Sequence, residues 1–391
     1  MSKRDGIRKR GDGWEIRISL GRDPQTGKYP RKSYTCGGTR ADAERRRREL
    51  LTQLDTGTYV DPTTQTVKEY LKDWLQHCEQ KGLSASTLEG YEGYCDRFLI
   101  PVLGALPLQK LAPAHIERMY AGALQHGGEG SRGAVSERTV LHLHRILHAA
   151  LKRAVRLRLL IGNPCEAVEA PRPRRKEMHA LDESETNRLL GLLRADKDQL
   201  LQVAVLAAVT TGLRRGELLA LRWSDVDLEG ATLTVRRSLQ TTKRAGLVFK
   251  EPKTPRSRRT LTLPARTVRE LRAHKSRQAQ ERLLLGEAYN DAGLVFAEAD
   301  GSPVHPDALS KRFQVFREAH GFKVRFHDLR HTHATLMLKA GEPVKVVADR
   351  LGHSTAILTL DTYAHVLPGM DAGAAERFDK MLDDEERRVG S

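Results

Sequence analysis

Six side chains whose types suit a single reaction occur in order through the C-terminal half of this 391-residue sequence. Arg214 lies in Thr211-Gly212-Leu213-Arg214-Arg215-Gly216-Glu217, Lys253 in Pro252-Lys253-Thr254, and His327 and Arg330 in His327-Asp328-Leu329-Arg330-His331-Thr332. His353 ends Leu351-Gly352-His353, and Tyr363 stands in Asp361-Thr362-Tyr363-Ala364-His365. A phosphodiester is an anion that repels nucleophiles, and its transition state gathers further negative charge on the non-bridging oxygens. Two arginines answer that need, because a guanidinium is planar, permanently charged and able to fork onto two oxygens. A phenol, with an ordinary pKa near ~10, attacks well only where a cationic pocket or a base eases the loss of its proton, which histidines and arginines can do. A lysine can return a proton to the leaving oxygen.

Singly, each residue has a plainer explanation. An Arg or Lys in a basic chain is usually a solvated charge, a Tyr a half-buried core residue, a His a cap or a packing group. The conjunction carries the information: His327-x-x-Arg330, then Gly352-His353, then Tyr363 ten residues after His353, with an Arg-x-x-Glu box upstream. In these motifs the sequence resembles the catalytic domain of the tyrosine recombinases, the phage integrase family. The resemblance implies that Arg214 and Arg330 clamp the scissile phosphate, that His327 and His353 assist, and that Tyr363 is the nucleophile. It also implies that Lys253, carried on a mobile hairpin, protonates the 5′-oxygen, with Lys250 as the alternative donor because Pro255 and Arg256 are less typical neighbours. Glu217, three residues after Arg214, is expected to hold the guanidinium by charge-assisted hydrogen bonds. Many members have nine residues from this His to the Tyr; the ten-residue form with Leu-Asp-Thr-Tyr-x-His is also familiar among integrases of mobile elements.

The implied activity is site-specific recombination: cutting and rejoining duplex DNA through a 3′-phosphotyrosyl intermediate to integrate or excise a mobile element, with neither ATP nor a metal and no cofactor. A Xer-like resolvase or a type IB topoisomerase would use the same active site. A DNA-binding regulator that has lost catalysis is the alternative from another class, against which the unbroken set of six residues argues. The implied partners are double-stranded DNA attachment sites, a homotetramer on that DNA, an excisionase and a DNA-bending host factor.

Composition agrees. A net charge of +16 points to a polyanionic partner. Residues 1–50 carry 15 Lys or Arg against 7 Asp or Glu, so half of the excess charge is concentrated there. Only 5% of residues are aromatic, which argues against single-strand binding by base stacking. Cys36, Cys78, Cys95 and Cys165 are scattered, so neither a zinc site nor a disulfide frame is expected. His142, His144 and His148, and likewise His327, His331 and His333, lack a nearby carboxylate or thiol to complete a ligand set, and no metal site is expected. No signal peptide or membrane span is read, the longest near-apolar run being Leu200 to Val209, and the cytoplasm is the expected compartment.

These side chains must be carried by several domains. The fold class expected is multidomain and mainly α, with small antiparallel β-sheets. Residues 1–60 read as a β-rich module resembling the arm-type DNA-binding domain of integrases, with strands at Trp14–Ile18 and Lys32–Thr35 and a helix over Thr39–Leu54 that bears Arg45, Arg46, Arg47 and Arg48. Residues 65–170 read as a helical core-binding domain. Val67, Tyr70, Leu71, Trp74 and Leu75 form one amphipathic stripe, Ser86-Thr87-Leu88-Glu89 marks a second start, and Val140, Leu143, Leu147, Leu151 and Ala154 form another face. That last helix turns Lys152, Arg153, Arg156 and Arg158 outward, a candidate phosphate contact. Residues 171–179, with Pro171, Pro173, Arg174 and Arg175, read as a charged linker that cannot continue a helix. Residues 180–370 form the catalytic domain, with strands at Ala231–Arg237, Leu247–Lys250 and Arg259–Leu263 and Lys253 in the turn between the last two. Residues 371–391, where Ala374, Ala375, Phe378, Met381 and Leu382 make an apolar stripe, are expected to be a helix docking one protomer onto another.

Overall fold

A computed structural model describes residues 6–19, 27–130, 133–174, 179–251, 258–353 and 355–363. The chain divides into two compact units, residues 1–174 and 175–391.

In the first unit, strands β1 (Ile7–Arg10), β2 (Gly13–Ser19) and β3 (Arg31–Cys36) form an antiparallel sheet in that order. β2 alternates as its sequence requires: Ile16 and Ile18 are buried, while Arg17 and Ser19 face outward. Helix α1 (Arg40–Asp55) starts at a capping box between Thr39 and Asp42 and packs Ala43 and Leu50 on the isoleucine face of the sheet. The edge strand β1, of sequence Ile-Arg-Lys-Arg, has no apolar alternation to announce it.

Then come α2 (Val67–Gln80), α3 (Ala85–Tyr94), a π-helical turn at Cys95–Leu99, α4 (Ile100–Leu103), α5 (Pro113–His126) and α6 (Glu137–Arg156), with short 3-10 turns at Leu108–Lys110 and Pro164–Ala167. The expected stripes bury Val67, Tyr70, Leu71 and Trp74 on α2 and Val140, Leu143, Leu147, Leu151 and Ala154 on α6. The Tyr70 hydroxyl donates to the Ala150 carbonyl at 2.6 Å and ties the two helices together. α3 begins earlier than the Ser86 signal: Ser84 is already its extended N-cap, and its hydroxyl shares a 2.7 Å hydrogen bond with that of Thr87.

The second unit opens with α7 (Glu183–Arg194), capped by Asp182 and Glu185, and α8 (Gln199–Thr211), which is apolar nearly all round and forms the middle of the core. After α9 (Arg215–Leu219) come β4 (Val226–Asp227), β5 (Thr232–Val235), β6 (Ser238–Thr242), β7 (Gly246–Lys250) and β8 (Arg259–Thr262). These strands build two sheets rather than one: β4-β5-β8, and a separate β6-β7 ribbon. The strands on either side of Lys253 therefore pair with other partners, β7 with β6 and β8 with β5, and do not form a hairpin with each other. β6, Ser-Leu-Gln-Thr-Thr, is too polar to be recognised by alternation alone.

The chain continues as α10 (Ala265–Leu285), α11 (Pro306–Ala319), α12 (Asp328–Lys339), α13 (Val344–Leu351) and α14 (Ala356–Tyr363). α12 packs directly against α8 and α13. Among the described residues, no helix is long and apolar enough to cross a membrane.

Candidate active site

Two helices end in the same way at the site. α8 stops at Gly212 (φ +67°) and α13 at Gly352 (φ +67°), both left-handed, the conformation glycine adopts without steric cost. Each turn hands on a functional residue, Arg214 after the first and His353 after the second. The Arg330 side chain on α12 joins the two turns: Nη1 donates to the Gly212 carbonyl at 2.8 Å and Nη2 to the Leu351 carbonyl at 2.7 Å. Two of its five N–H donors are thus committed to orientation. Burial and the neighbouring Arg214 press the Arg330 guanidinium down to about 9, so it stays charged at neutral pH.

Arg214 is the N-cap of α9, and Glu217, at the third helical position, reaches back to it. Glu217 Oε2 accepts from the Arg214 backbone N–H at 3.0 Å and Oε1 from Arg214 Nη1 at 2.8 Å, while Arg214 Nη2 reaches the Gly352 carbonyl at 3.5 Å. The same carboxylate accepts from Arg259, Nη2 to Oε2 at 2.8 Å. Burial works against the Glu217 charge, but the Arg259 hydrogen bond and the charges of Arg259 and Arg214 outweigh it and hold the carboxyl below its ordinary range. Glu217 therefore pairs with two guanidiniums and lies in the field of a third, Arg330, and the surplus positive charge faces a site in which Arg214 keeps 41% side-chain exposure.

His327 is the N-cap of α12, and His331 lies one turn further on with its ring edge-on to His327, centroids 5.4 Å apart. Asp328 fixes this corner by accepting from the Arg325 backbone at 2.7 Å and from its guanidinium at 3.0 and 2.9 Å. His353 shares a 2.8 Å hydrogen bond with Thr359 on α14, and His331 Nδ1 shares one of 2.7 Å with the Tyr363 hydroxyl, so both bonds tie down the tyrosine helix. The Tyr363 ring is 2% exposed, among Ala334, Leu338, Val347 and Leu351. Burial pushes its phenol up to about 12, against the pull of Arg330. Burial and nearby cations push His331 and His353 down to about 4, and His327 also downward, so these imidazoles are neutral at pH 7.

Of the residues singled out from sequence, Arg214, Glu217, His327, Arg330, His353 and Tyr363 converge here. Lys253 lies outside the described residues, as do Arg175 and the C-terminal segment 371–391; Lys250 closes β7 and is partly exposed. Lys152 and Arg156 are exposed on α6 and Arg153 is half-buried beside them; Arg174 is exposed. On α1 the basic run is partly matched by its own helix, Arg45 by Asp42 at 2.6 Å and Arg46 by Glu49 at 2.9 Å, while Arg47 is half-buried and Arg48 exposed. The open face of the N-terminal sheet, opposite α1, carries exposed Arg8, Arg10, Arg17 and Arg31, which no sequence motif singles out. Two residues of the active site likewise escape sequence reasoning. Arg259 reads only as the start of a strand, and His331 only as one of three clustered histidines. The spacing of four from His327, which puts both rings on one helix face, is the available signal for His331. Among the described residues no group of three His, Cys, Asp or Glu side chains is arranged to hold a metal.

Residues 179–369 match the Phage integrase family, and residues 66–123 match the N-terminal SAM-like domain of phage integrases. The chain is 29% identical to a protein named tyrosine recombinase XerC-like from Caldanaerobacter subterraneus, over 98% of this chain and all of that one. It is 30% identical to the ICEBs1 integrase of Bacillus subtilis, over 63% of this chain and 67% of that one. Among solved structures it is similar to the Tn1549 transposon integrase in complex with a circular intermediate DNA, with a TM-score of 0.66 at 20% identity, covering 81% of this chain and 99% of that one.

Proposed function

The chain belongs to the phage integrase family of tyrosine recombinases, and from that membership and the geometry of its site we propose that it cuts and rejoins duplex DNA at specific sites, integrating or excising a mobile element. The observation that carries the reading is the set of three guanidiniums, Arg214, Arg259 and Arg330, gathered around the single carboxylate of Glu217 beside the Tyr363 hydroxyl. Such a site is short of negative charge, and a phosphodiester supplies it.

In the proposed reaction, Arg214 and Arg330 hold the non-bridging oxygens, and their donors, fixed before the substrate arrives, stabilise the charge that grows in the transition state. Tyr363 Oη attacks phosphorus, giving a 3′-phosphotyrosyl link and a free 5′-hydroxyl, and Lys253 delivers the proton to that 5′-oxygen. His327 and His353 act as neutral donors or acceptors at the phosphate. The energy of the broken bond is kept in the phosphotyrosine, so rejoining needs no nucleotide. We also propose that residues 1–60 contact distant arm sites, that 65–170 grip the core site, that 171–179 link them to the catalytic domain at 180–370, and that 371–391 dock between protomers of a tetramer. The cytoplasm, where the DNA is, is the proposed compartment, with a DNA-bending host factor and an excisionase as further partners.

A nicked suicide duplex carrying the joined ends of the encoding element tests this. Wild type should accumulate a covalent adduct in excess EDTA, and Tyr363→Phe should bind the same DNA without forming one. An adduct with the Phe variant, or a strict Mg²⁺ requirement for strand cleavage, counts against the mechanism.

A further inference from the structure

His331 and Tyr363 are far apart in sequence, yet His331 Nδ1 and Tyr363 Oη are 2.7 Å apart and share a hydrogen bond. We propose that His331 is a further catalytic residue, which takes the phenolic proton as Tyr363 attacks the phosphate; this rests on the reading of Tyr363 as the nucleophile. The neighbouring histidines are turned to other tasks. His353 Nδ1 is engaged with Thr359, and His327 meets the His331 ring edge-on. His331 thus touches the reacting oxygen itself.

The charges around His331 suit the role. His327, Asp328 and Arg330 face it from its own helix and cap, Arg325 from the preceding turn, His353 from the turn after α13, and Tyr363 from α14. Burial, His327 and the two arginines keep the ring neutral before reaction, and in the tautomer protonated at Nε2 its Nδ1 has the lone pair that accepts from the phenol; Asp328 pulls the other way and favours the imidazolium once it forms. The phenol keeps its proton in this buried setting until an acceptor is aligned with it.

In the step proposed, the Oη–P bond forms while the Oη–H bond breaks and its proton passes to Nδ1. The bond from phosphorus to the 5′-oxygen breaks, and that oxygen leaves with a proton from the general acid. The products are phosphotyrosine, imidazolium and a 5′-hydroxyl. Rejoining runs the same transfers backward, with the imidazolium returning its proton to the departing phenolic oxygen.

The experiment follows adduct formation by the full chain on the nicked suicide duplex, from about pH 6 to about pH 9, for wild type, Tyr363→Phe, His331→Ala and His331→Gln. General-base assistance is worth roughly 100-fold or more, so His331→Ala should be at least about 100-fold slower at neutral pH. Its rate should climb with pH as hydroxide replaces the missing base, and added imidazole should restore part of it. His331→Gln fills the space and keeps a polar side chain but cannot take up a proton; it should share the slow, pH-dependent rate without responding to imidazole, which separates loss of the base from loss of packing. Variants that react at the wild-type rate overturn the proposal, as does a loss that is equal at every pH and indifferent to imidazole. No adduct from wild type, or an adduct from Tyr363→Phe, removes instead the reading of Tyr363 on which the proposal rests.

Discussion

Arg259 grips Glu217 in a fork, Nη2 to Oε2 at 2.8 Å and Nη1 to Oε1 at 3.3 Å, with both side chains only 7% exposed. Its Nε also donates to the Arg350 carbonyl at 2.6 Å. One side chain thereby connects the start of β8, the Arg214 turn and the end of α13. Leaving a buried charge without any partner costs about 3–5 kcal/mol; Glu217 keeps Arg214 when Arg259 is removed, so the loss is smaller than that. Arg259→Ala is expected to destabilise the protein by less than about 3 kcal/mol, and Arg259→Lys, which cannot fork onto the carboxylate and reach the carbonyl together, to fold better yet slow adduct formation at least about tenfold. Urea midpoints and single-turnover adduct rates check both; a Lys variant with wild-type kinetics would show that the fork does not aim Arg214.

Acidification should weaken the fold through its buried imidazoles. His331, His333 and His353 are all pushed down to about 4, chiefly by burial, and His333 Nδ1 is held to the Val209 carbonyl at 2.8 Å while its Nε2 is buried without a partner. An unfolded chain protonates these groups near ~6.5. Between that value and about 4 the unfolded state binds more protons, so stability is present above this window and is lost as pH falls through it, with a slope approaching ~1.4 kcal/mol per pH unit for each histidine. Denaturant unfolding at neutral pH and near pH ~5 should show the loss, and His333→Gln should flatten the slope by about one proton. Equal unfolding free energies at the two pH values would mean that these rings are not buried as described.

Contiguous motifs make much of this site legible in the sequence, because Arg214 with Glu217, His327 with Arg330, and Gly352 with His353 each lie within one turn of chain. The amphipathic faces of α2 and α6 are legible for a similar reason, since burial repeats at the helical period. Arg259 is not, because its partner Glu217 is 42 residues away and its own strand, Arg-Thr-Leu-Thr, looks like any half-exposed edge. Motif alone also leaves the partner of Tyr363 unread, because its hydrogen bond goes to His331, 32 residues from the tyrosine. The pairing of β7 with β6 rather than β8 depends on a polar strand that carries little periodic signal.

The N-terminal module should contact phosphates with its sheet more than with its helix. Arg8, Arg10, Arg17 and Arg31 are exposed on the open face, where one carboxylate, Glu15, pairs with both Arg8 and Arg17, whereas Arg45 and Arg46 each have a carboxylate of their own in Asp42 and Glu49. Replacing the four sheet arginines by Ala should reduce the slope of log affinity against log salt by roughly 0.9 for each phosphate that is no longer neutralised. The same change at Arg45 and Arg46 should move it less, and removal of residues 1–60 should leave cleavage of a core site intact. Equal salt slopes for the sheet variant and wild type would place DNA elsewhere.

The two left-handed glycines offer a test that separates backbone strain from packing. Gly212 and Gly352 both have φ +67° in the left-handed helical region, where an L side chain costs roughly 1–2 kcal/mol. Gly82, at φ +76°, ends α2 in the same manner, with the Leu83 N–H donating to the Cys78 carbonyl and its own N–H to that of Glu79. A Cβ on Gly82 would meet nothing within 4 Å, so Gly82→Ala bears the backbone cost alone. At Gly352 the added carbon would stand 2.8 Å from Arg259 Nη1, and at Gly212 2.6 Å from His333 Cδ2 and 2.8 Å from Leu351 Cδ2. Arg259 is held by Glu217 and the Arg350 carbonyl and His333 by the Val209 carbonyl, so neither can withdraw without breaking a buried hydrogen bond. Gly212 also presents the carbonyl that orients Arg330. Both Gly212→Ala and Gly352→Ala should therefore lose more stability than Gly82→Ala in urea unfolding. Their adduct rates should fall as well, while that of Gly82→Ala stays near wild type. If all three variants lose the same stability and keep the same rate, the close packing around these turns contributes nothing to aiming the arginines.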